Sequence, residues 1–311
     1  MPEWLVERGI GETRWVRIEG GEIVEARILL DGIVPAGATR QAVLRHVGPP
    51  AIASDGADEY VLPKGAPGAS EGETITLEVT REKIPGAEPW KRPLAQVSTG
   101  AGVGAPDCEA LPFPDPRDRL EEAGWADLLD EARSGIVRFA GGELRISPTP
   151  AMTLIDVDGH LPPVELALAG AVAAAGTVLR HGIGGSIGID LPTIAGKAQR
   201  QAVGEAIDAQ LPQTFERTAM NGFGFVQIVR PRRHASLFEL AQDRAAFEAR
   251  ALLRRAARER GALRLAAHPA VTALLEQRPE WIDALARQVG GAVSLRSDPT
   301  LAIHAGYAEA P

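Results

Sequence analysis

Between residues 136 and 230 the sequence alternates between short stretches typical of strands and longer stretches typical of helices. Strands are predicted at 136–140, 143–147, 151–157, 185–190 and 222–230, and helices at 163–180 and 195–210. A strand, a long crossover helix and a second strand place the two strands parallel in one sheet. This pattern constrains the fold most strongly, because it requires a sheet that is covered by helices.

Three aspartates lie at the ends of two of these strands. Asp156 and Asp158 in MTLIDVDGHLPP (152–163) are two residues apart, so their side chains project from the same face of a strand. Asp190 ends the next strand, GGSIGID. The carboxyl ends of parallel strands share one edge of the sheet, and open α/β sheets bind their ligands at that edge. We therefore expect the three carboxylates to lie close together.

Clustered carboxylates have two explanations. Like charges packed closely are destabilising unless a proton or a cation relieves them. Mg²⁺ is suited to that role, since it takes one or two protein carboxylates and keeps several waters. Alternatively, each aspartate forms a turn or caps a helix, which is common before residues such as Gly159 and Pro192. The residues alone leave both explanations open.

The charge distribution bears on whether the ligand is a polyanion. The chain has 311 residues and a formal net charge of -8, which argues against a nucleic-acid partner. The stretch 196–264, however, has 13 Lys or Arg against 7 Asp or Glu, so it carries +6 and the rest of the chain -14. Arginine binds phosphate bidentately and stacks on bases, although these arginines could also line solvated helix faces. Five cations near the predicted site are candidate phosphate contacts: Arg230, Arg232, Arg233, Lys197 and Arg200.

The segments on either side of this layer have different patterns. Short strands separated by Gly and Pro are predicted within 13–30 and at 42–47, 58–63 and 73–80. They indicate a small barrel or sandwich, with an OB-like barrel as one candidate. A Pro- and Gly-rich linker and a helix at 117–133 follow. After residue 236 the prediction is one basic helix at 236–260, two helices within 269–288, and short strands at 292–297 and 302–307.

Three features bear on the compartment. The single cysteine, Cys108, excludes an intramolecular disulfide and a Cys-based zinc cluster within one chain. The most apolar stretch, 166–179, has 14 residues, which is too short to cross a bilayer. The start, MPEWLVERGIGE, is charged and lacks an apolar signal core. We therefore expect a cytoplasmic protein with no membrane partner.

Three motifs resemble those of the ribonuclease E/G family of bacterial endoribonucleases: PTPAMTLIDVDG (148–159), IGGSIGIDL (183–191) and NGFGFVQIVRPRR (221–233). Their order and spacing agree with the family over roughly residues 138–235. The resemblance implies a mixed α+β and α/β multidomain protein. Its parts are leading strands and an OB-like RNA-binding β-barrel at 1–100, a linker and helix at 101–137, a central DNase I-like α/β layer carrying the metal site at 138–235, and a mainly helical small C-terminal domain at 236–311.

The resemblance also implies roles for individual residues. Asp156 and Asp190 match the family's two magnesium-binding aspartates, and Asp158 stands where the family has an asparagine that supports the metal site. These three are the candidate catalytic residues, and Asp156 and Asp190 the candidate metal ligands. Arg230 and Arg232 match the two arginines of the third motif. Mg²⁺ is therefore the expected cofactor, with Mn²⁺ as the alternative ion.

The chain departs from the family at several places. Gln227 replaces a glutamate and Gly222 an arginine of the third motif, and Ile52 and Val61 stand where the family has RNA-stacking phenylalanines. The cysteines of the family's zinc-link are missing after Arg233. The region between 100 and 136 is much shorter than the family's, which removes most of its 5′-end sensor. We therefore expect no zinc, and a monomer or weak dimer instead of a zinc-linked tetramer.

The function expected on this basis is Mg²⁺-dependent endonucleolytic hydrolysis of single-stranded RNA, which leaves 5′-phosphate and 3′-hydroxyl ends. Lys91, beside Trp90, is a further candidate RNA contact, because an aromatic residue flanked by cations suits single strands, although a packed core position is the more common place for a tryptophan. A histidine-based ribonuclease is not expected, since His160, the histidine nearest the carboxylates, has no evident partner. The alternative is a catalytically weak paralogue that binds RNA or a ribonuclease partner. The missing stacking aromatics favour this alternative, and the retained aspartates disfavour it.

Overall fold

The computed structural model describes residues 3–85, 91–98, 100 and 108–311. The described residues form a mixed α/β fold with eighteen strands and eight helices. The strands are β1 (Glu3–Arg8), β2 (Glu12–Glu19), β3 (Glu22–Leu30), β4 (Thr39–His46), β5 (Ala51–Ser54), β6 (Glu59–Leu62), β7 (Thr74–Arg81), β8 (Leu94–Val97), β9 (Glu109–Leu111), β10 (Ile136–Phe139), β11 (Gly142–Pro148), β12 (Thr153–Gly159), β13 (Gly185–Asp190), β14 (Glu216–Arg217), β15 (Phe225–Arg230), β16 (Leu263–Ala267), β17 (Val293–Ser297) and β18 (Tyr307–Glu309). The helices are α1 (Arg119–Glu122), α2 (Trp125–Ser134), α3 (Pro163–Arg180), α4 (Lys197–Gln210), α5 (Leu237–Leu240), α6 (Arg244–Ala256), α7 (Pro269–Glu276) and α8 (Pro279–Val289).

The chain divides into two compact units, each assembled from segments that are distant in sequence. The first, called here the terminal unit, comprises Met1–Asp31, Cys108–Asp127 and Leu240–Pro311. The second, the central unit, comprises Gly32–Asp107 and Leu128–Glu239. The four ranges predicted from the sequence, in contrast, follow one another along the chain. Part of the predicted linker, 101–107, and Trp90 lie outside the described residues.

The terminal unit contains two sheets. The leading strands form a four-stranded sheet in the order β3-β2-β1-β9. The hairpin predicted within 13–30 is confirmed, since β2 and β3 are antiparallel and Gly20 and Gly21 form the turn with positive φ angles. A three-stranded sheet, β17-β16-β18, shares one apolar core with α6, α7 and α8.

Two helices predicted from the sequence are interrupted in the structure. The single basic helix expected at 236–260 is wrong, because α5 ends at Leu240 and α6 begins at Arg244. The side chain of Asp243 accepts a hydrogen bond from the Ala246 N–H and so caps α6 at a new start. The helix predicted at 117–133 is divided into α1 and α2 at Gly124, whose φ angle is +93°.

Some strands were misplaced or missed by the sequence prediction. The sequence predicts no strand where β16 lies, and β18 begins at Tyr307, whereas the expected strand spans 302–307. In the central unit, β4, β5, β6, β8 and β7 form a closed five-stranded barrel in that order, of which β5 and β8 were not predicted. Leu44, Tyr60 and Leu77 are among the fully buried residues of its core. A closed barrel satisfies the edges that such short strands would otherwise expose.

The central sheet follows the predicted pattern closely. Its order is β10-β11-β12-β13-β15-β14, and β13 and α3 coincide with the predicted ranges 185–190 and 163–180. Only β12 and β13 are parallel; the other pairings among its described strands are antiparallel. The helix α3 packs on β10, β11, β12 and α4. It approaches β12 closely at Gly170, where a Cβ would overlap the Val157 side chain. One face of the sheet is thereby buried under helices.

The helix α3 bears on the expectation that no segment spans a membrane. The apolar stretch has 14 residues, but the whole helix has 18 residues and a mean hydropathy of 1.3, so by length and composition it is a candidate span. Its buried residues, which include Ala167, Ala171 and Val178, lie in the core of the central unit. The core helix of a soluble protein has the same properties, and the candidate is therefore weak.

His181, at the end of α3, makes the stability of the central unit depend on pH. Its side chain is fully buried against Phe238, with Nε2 3.0 Å from Glu131 Oε2. Burial lowers the pKa of His181 below 6.5, although Glu131 acts in the opposite direction. The unfolded chain therefore binds a proton that the folded chain does not, and the free energy of unfolding should fall as the pH drops below about 6.5. Urea titrations between pH 5 and pH 8 measure this dependence.

His181→Gln provides the control for this titration, since glutamine cannot take up the proton. We expect its unfolding free energy to fall less steeply between pH 6.5 and pH 5 than that of the wild type. Equal slopes for the two proteins would show that His181 does not titrate differently in the folded and unfolded states.

Candidate metal and phosphate site

Asp156 and Asp190 lie side by side at one edge of the central sheet. The register of the parallel strands β12 and β13 pairs Asp156 directly with Asp190. Residues along β12 are alternately buried and exposed, so that Val157 packs into the core while Asp156 and Asp158 face solvent. Asp190, the last residue of β13, is also exposed. The predicted crossover therefore brings the carboxylates to one edge and one face of the sheet.

Negative charge is in excess on this face. Partial burial raises the pKa of Asp156, and the charges of Asp158 and Asp190 raise it further, while the Arg145 guanidinium lowers it. Arg145 lies opposite Asp156 on β11, and its Nε is 3.9 Å from Asp158 Oδ2. The same arginine also pairs with Glu143 at 2.5 Å. Arg138, the exposed register partner of Glu143 on β10, is a second arginine on this face, so two arginines stand against four carboxylates.

The donor set suits a hard divalent cation. Mg²⁺ binds oxygen, takes one or two carboxylates and completes its octahedral shell with water and phosphate oxygens. Asp156 and Asp190 supply such a pair on a solvent-facing surface. Within the described ranges, no three His, Cys, Asp or Glu side chains are arranged as a ready-made ligand cluster. The remaining ligands would therefore come from water or from a bound phosphate, as Mg²⁺ commonly accepts.

The arginines of the third motif lie at the other end of the sheet. β15 is antiparallel to β13, and its register pairs Asp190 with Phe225 but Gly185 with Arg230. Five residues of strand separate Arg230 from the Asp190 edge, a distance of about 17 Å. Arg230 donates a hydrogen bond to the Ile183 carbonyl. The expectation that these arginines neutralise a phosphodiester beside the metal is therefore wrong.

Arg232 and Arg233, the next two arginines along the chain, are likewise engaged elsewhere or distant from the carboxylates. Arg232 forms an ion pair with Glu239, and the backbone carbonyl of Arg233 accepts a hydrogen bond from the Glu82 N–H. Both belong to the segment that follows β15 and leads away from the Asp190 edge. The side chain of Arg233 is exposed, so it is accessible to a ligand, but not to one bound at the carboxylates.

Lys197 and Arg200 line a different feature, a cavity of about 320 Å³ at the start of α4. Its other lining residues are Gln201, Arg217, Ala219 and Met220. Arg200 donates to the carbonyls of Ile194 and Ala195 at 2.9 and 2.7 Å, which orders the loop between β13 and α4. Lys197 is exposed and has no ion-pair partner in the described part of the chain. These two predicted cations do come together, and they follow Asp190 by seven and ten residues.

Arg217 is a member of this site that the sequence analysis missed. It lies on β14, a strand of two residues with too little pattern to be recognised. Asp208 of α4 holds its guanidinium through Nε and Nη2 at 2.7 and 2.5 Å, and this ion pair lowers the pKa of Asp208. Arg217 thus lines the cavity in a fixed position, and its charge is already neutralised by Asp208. Lys197 and Arg200 remain the cations available to an anion.

Ile52 and Val61, the two barrel residues singled out in the sequence, lie on neighbouring strands. Ile52 and Val61 pair with each other across β5 and β6 and are half-buried on the outer side, opposite the buried Ala53 and Tyr60. No aromatic ring stands at either of these two positions. Lys91 is half-buried just before β8. Trp90, which precedes Lys91 in the sequence, lies outside the described residues.

Comparison with models of known protein families and with curated proteins gives no match for this chain.

Proposed function

We propose that this chain is a Mg²⁺-dependent endoribonuclease that hydrolyses single-stranded RNA and leaves 5′-phosphate and 3′-hydroxyl ends. One observation carries the proposal: Asp156 and Asp190 are paired across two parallel strands on a solvent-facing edge with excess negative charge. A protein that only binds an anion gains nothing from carboxylates that repel it. A divalent ion between the carboxylates and a phosphate removes this conflict.

The fold supports the proposal at two places. The barrel order β4-β5-β6-β8-β7, with β6 and β8 parallel, leads us to assign an OB-like fold, whose second and third strands commonly bind oligonucleotides. In this barrel the second and third strands are β5 and β6. We assign the sheet of β10 to β15 with α3 and α4 to a DNase I-like layer, in which the exposed face carries the metal site. Lys91 would then contact RNA from the barrel.

In the proposed reaction Asp156 and Asp190 hold the cation, and the nearby Asp158 adds negative charge that strengthens this hold. Bound Mg²⁺ would polarise the scissile phosphate and lower the pKa of a bound water. Lys197 and Arg200 bind a backbone phosphate next to the scissile one. Water adds its oxygen to phosphorus while the P–O3′ bond breaks. The new 5′-phosphate keeps that oxygen, and a proton goes to O3′, which becomes the 3′-hydroxyl.

A second candidate function is RNA binding without catalysis. Two observations favour it: Arg145 already offsets part of the negative charge at Asp156 and Asp158, and Ile52 and Val61 offer no aromatic ring to a base. In this alternative the carboxylates have only a structural role in the sheet, and RNA or a ribonuclease partner binds through the cationic groups.

The deciding experiment incubates a labelled single-stranded RNA with the protein in Mg²⁺ or in EDTA. We expect cleavage only with Mg²⁺, and the downstream fragments should be degraded by an exonuclease that requires a 5′-phosphate. Upstream fragments should accept a 3′ tail, which needs a free 3′-hydroxyl. Cyclic-phosphate ends, or cleavage that persists in EDTA, would contradict the metal mechanism. Tight RNA binding with no cleavage would favour the second candidate.

A further inference from the structure

Phe223 is the most exposed large apolar side chain in the described part of the chain. It is 85% exposed, whereas the next, Val229, is 51% exposed. A phenyl ring in water gives up the stabilisation that burial would provide. A single exposed apolar residue is ordinary on a protein surface, so the position needs a further reason before it is given a role.

That reason is the ordered turn that presents the ring. The Asn221 side-chain oxygen accepts hydrogen bonds from the N–H groups of Phe223 and Phe225 at 2.9 and 3.0 Å. Thr193 Oγ1 donates to the Phe223 carbonyl at 3.2 Å, which ties the turn to the loop after β13. Gly224 adopts φ +97°, and a Cβ there would overlap the Leu191 carbonyl oxygen. The backbone therefore holds Phe223 outward in a defined place.

The turn adjoins both parts of the proposed site. Phe225, which ends it, is the register partner of Asp190 on β13. Ala219 and Met220, which precede it, line the cavity with Lys197 and Arg200. The backbone thus holds an outward-facing aromatic residue at the same sheet edge as the carboxylates, three residues after Met220, which lines the cavity with the cations. Single-stranded nucleic-acid sites combine these elements, because cations bind the backbone while aromatic rings stack on the bases.

We propose that Phe223 is a stacking platform for a nucleobase of single-stranded RNA, next to the phosphate that is cleaved. The inference rests on the proposed function and adds to it a residue that binds the RNA directly. Every nucleobase has a π face, so the contact should tolerate any base. It replaces, at the sheet edge, the aromatic contact that Ile52 and Val61 do not provide on the barrel.

The test measures equilibrium binding of a fluorescein-labelled mixed-sequence 12-nucleotide RNA in EDTA, where no cleavage interferes. We expect Phe223→Ala to weaken binding about 5- to 150-fold, the range that stacking of one base represents. Phe223→Leu keeps apolar area but has no π face, so it should lose nearly as much. Phe223→Trp should bind as the wild type or better, and the emission of its added indole should be quenched by the RNA.

Tyr307→Ala is the matched control, since Tyr307 is a 41% exposed aromatic residue in the terminal unit. Its affinity for the RNA should equal that of the wild type. Wild-type affinity for Phe223→Leu would overturn stacking, and so would a Phe223→Ala variant that changes the mass in light scattering but not RNA binding. The second result would assign the ring to contact with a second copy of the chain.

Failure of the proposed function and failure of this inference are distinguishable. RNA binding that depends on Phe223 without Mg²⁺-dependent cleavage supports the platform and removes the nuclease. Mg²⁺-dependent cleavage with equal RNA affinity and KM in wild type and Phe223→Ala supports the nuclease and overturns the platform.

Discussion

Asp190→Asn is expected to lower the rate of RNA cleavage at least about 100-fold, because it removes one of two carboxylates that would hold the cation. The substitution keeps the size of the side chain and removes a charge from a repulsive cluster. The same charge raises the pKa of Asp156 in the wild type. The variant should therefore fold at least as well as the wild type at neutral pH. Single-turnover cleavage with saturating protein, together with thermal melting, measures both effects.

Glu216→Gln is the matched control for this experiment. Glu216 is an exposed carboxylate on β14, the outermost strand of the same sheet, and β13 and β15 separate this strand from β12 and Asp156. Its neutralisation should leave the cleavage rate within about twofold, the range of an ordinary surface substitution. Equal rates for Asp190→Asn and the wild type would rule out the carboxylate pair as the metal site. An Asp190→Asn variant that melts much earlier than the wild type would instead point to a structural role for Asp190.

Arg14→Met is expected to destabilise the terminal unit by about 3–5 kcal/mol, because it leaves two buried glutamates short of a counterion. Arg14 is 1% exposed and donates to Glu7 and Glu12 at 2.6 and 2.7 Å. Arg254 donates to the same Glu7 oxygen as Arg14, at 3.1 Å, and Arg250 donates to the other carboxylate oxygen of Glu12, at 2.9 Å. The five charges form one buried chain, and Arg14 is its centre.

Tryptophan fluorescence during urea unfolding measures this prediction. Four of the five tryptophans, at positions 4, 15, 125 and 281, belong to the terminal unit, so their emission reports on that unit. Arg17→Met on the same strand is the control. Its side chain pairs with Glu19 and Glu25 nearer the surface, and its loss should cost at most about 1 kcal/mol. Similar losses for both variants would show that the buried position of Arg14 adds nothing.

Local patterns were sufficient to predict every strand of the central sheet except β14. The period-two alternation of 151–157 and the apolar helix at 163–180 indicate a βαβ unit. The shared edge of Asp156 and Asp190 follows from the parallel direction of the two strands in such a unit. The hairpin within 13–30 was predictable for the same reason, because Gly20 and Gly21 mark the turn. Short elements such as β5, β14 and β16 have too few residues to show a period, and they were missed.

The basic stretch 196–264 was the feature most changed by the structure. Its excess of arginine made it a place to look for a polyanion site, yet Arg250 and Arg254 are buried and pair with Glu12 and Glu7, more than 200 residues earlier in the chain. Arg230 lies at the opposite end of the sheet from Asp190, because β15 is antiparallel to β13. Of the predicted cations near the site, Lys197 and Arg200 are the pair that the fold brings together in one cavity.

The sequence by itself determined the βαβ unit of the central sheet, with its helix at 163–180, and the position of Asp156 and Asp190 near the ends of neighbouring strands, since these depend on residues close together in the chain. Only the tertiary structure decided which charges are paired. Ion pairs between distant segments, the antiparallel direction of β15 and the outward turn at Phe223 arise from packing over long separations, and composition has no information on them. The acidic edge therefore keeps its excess charge, while much of the basic segment is already neutralised within the protein.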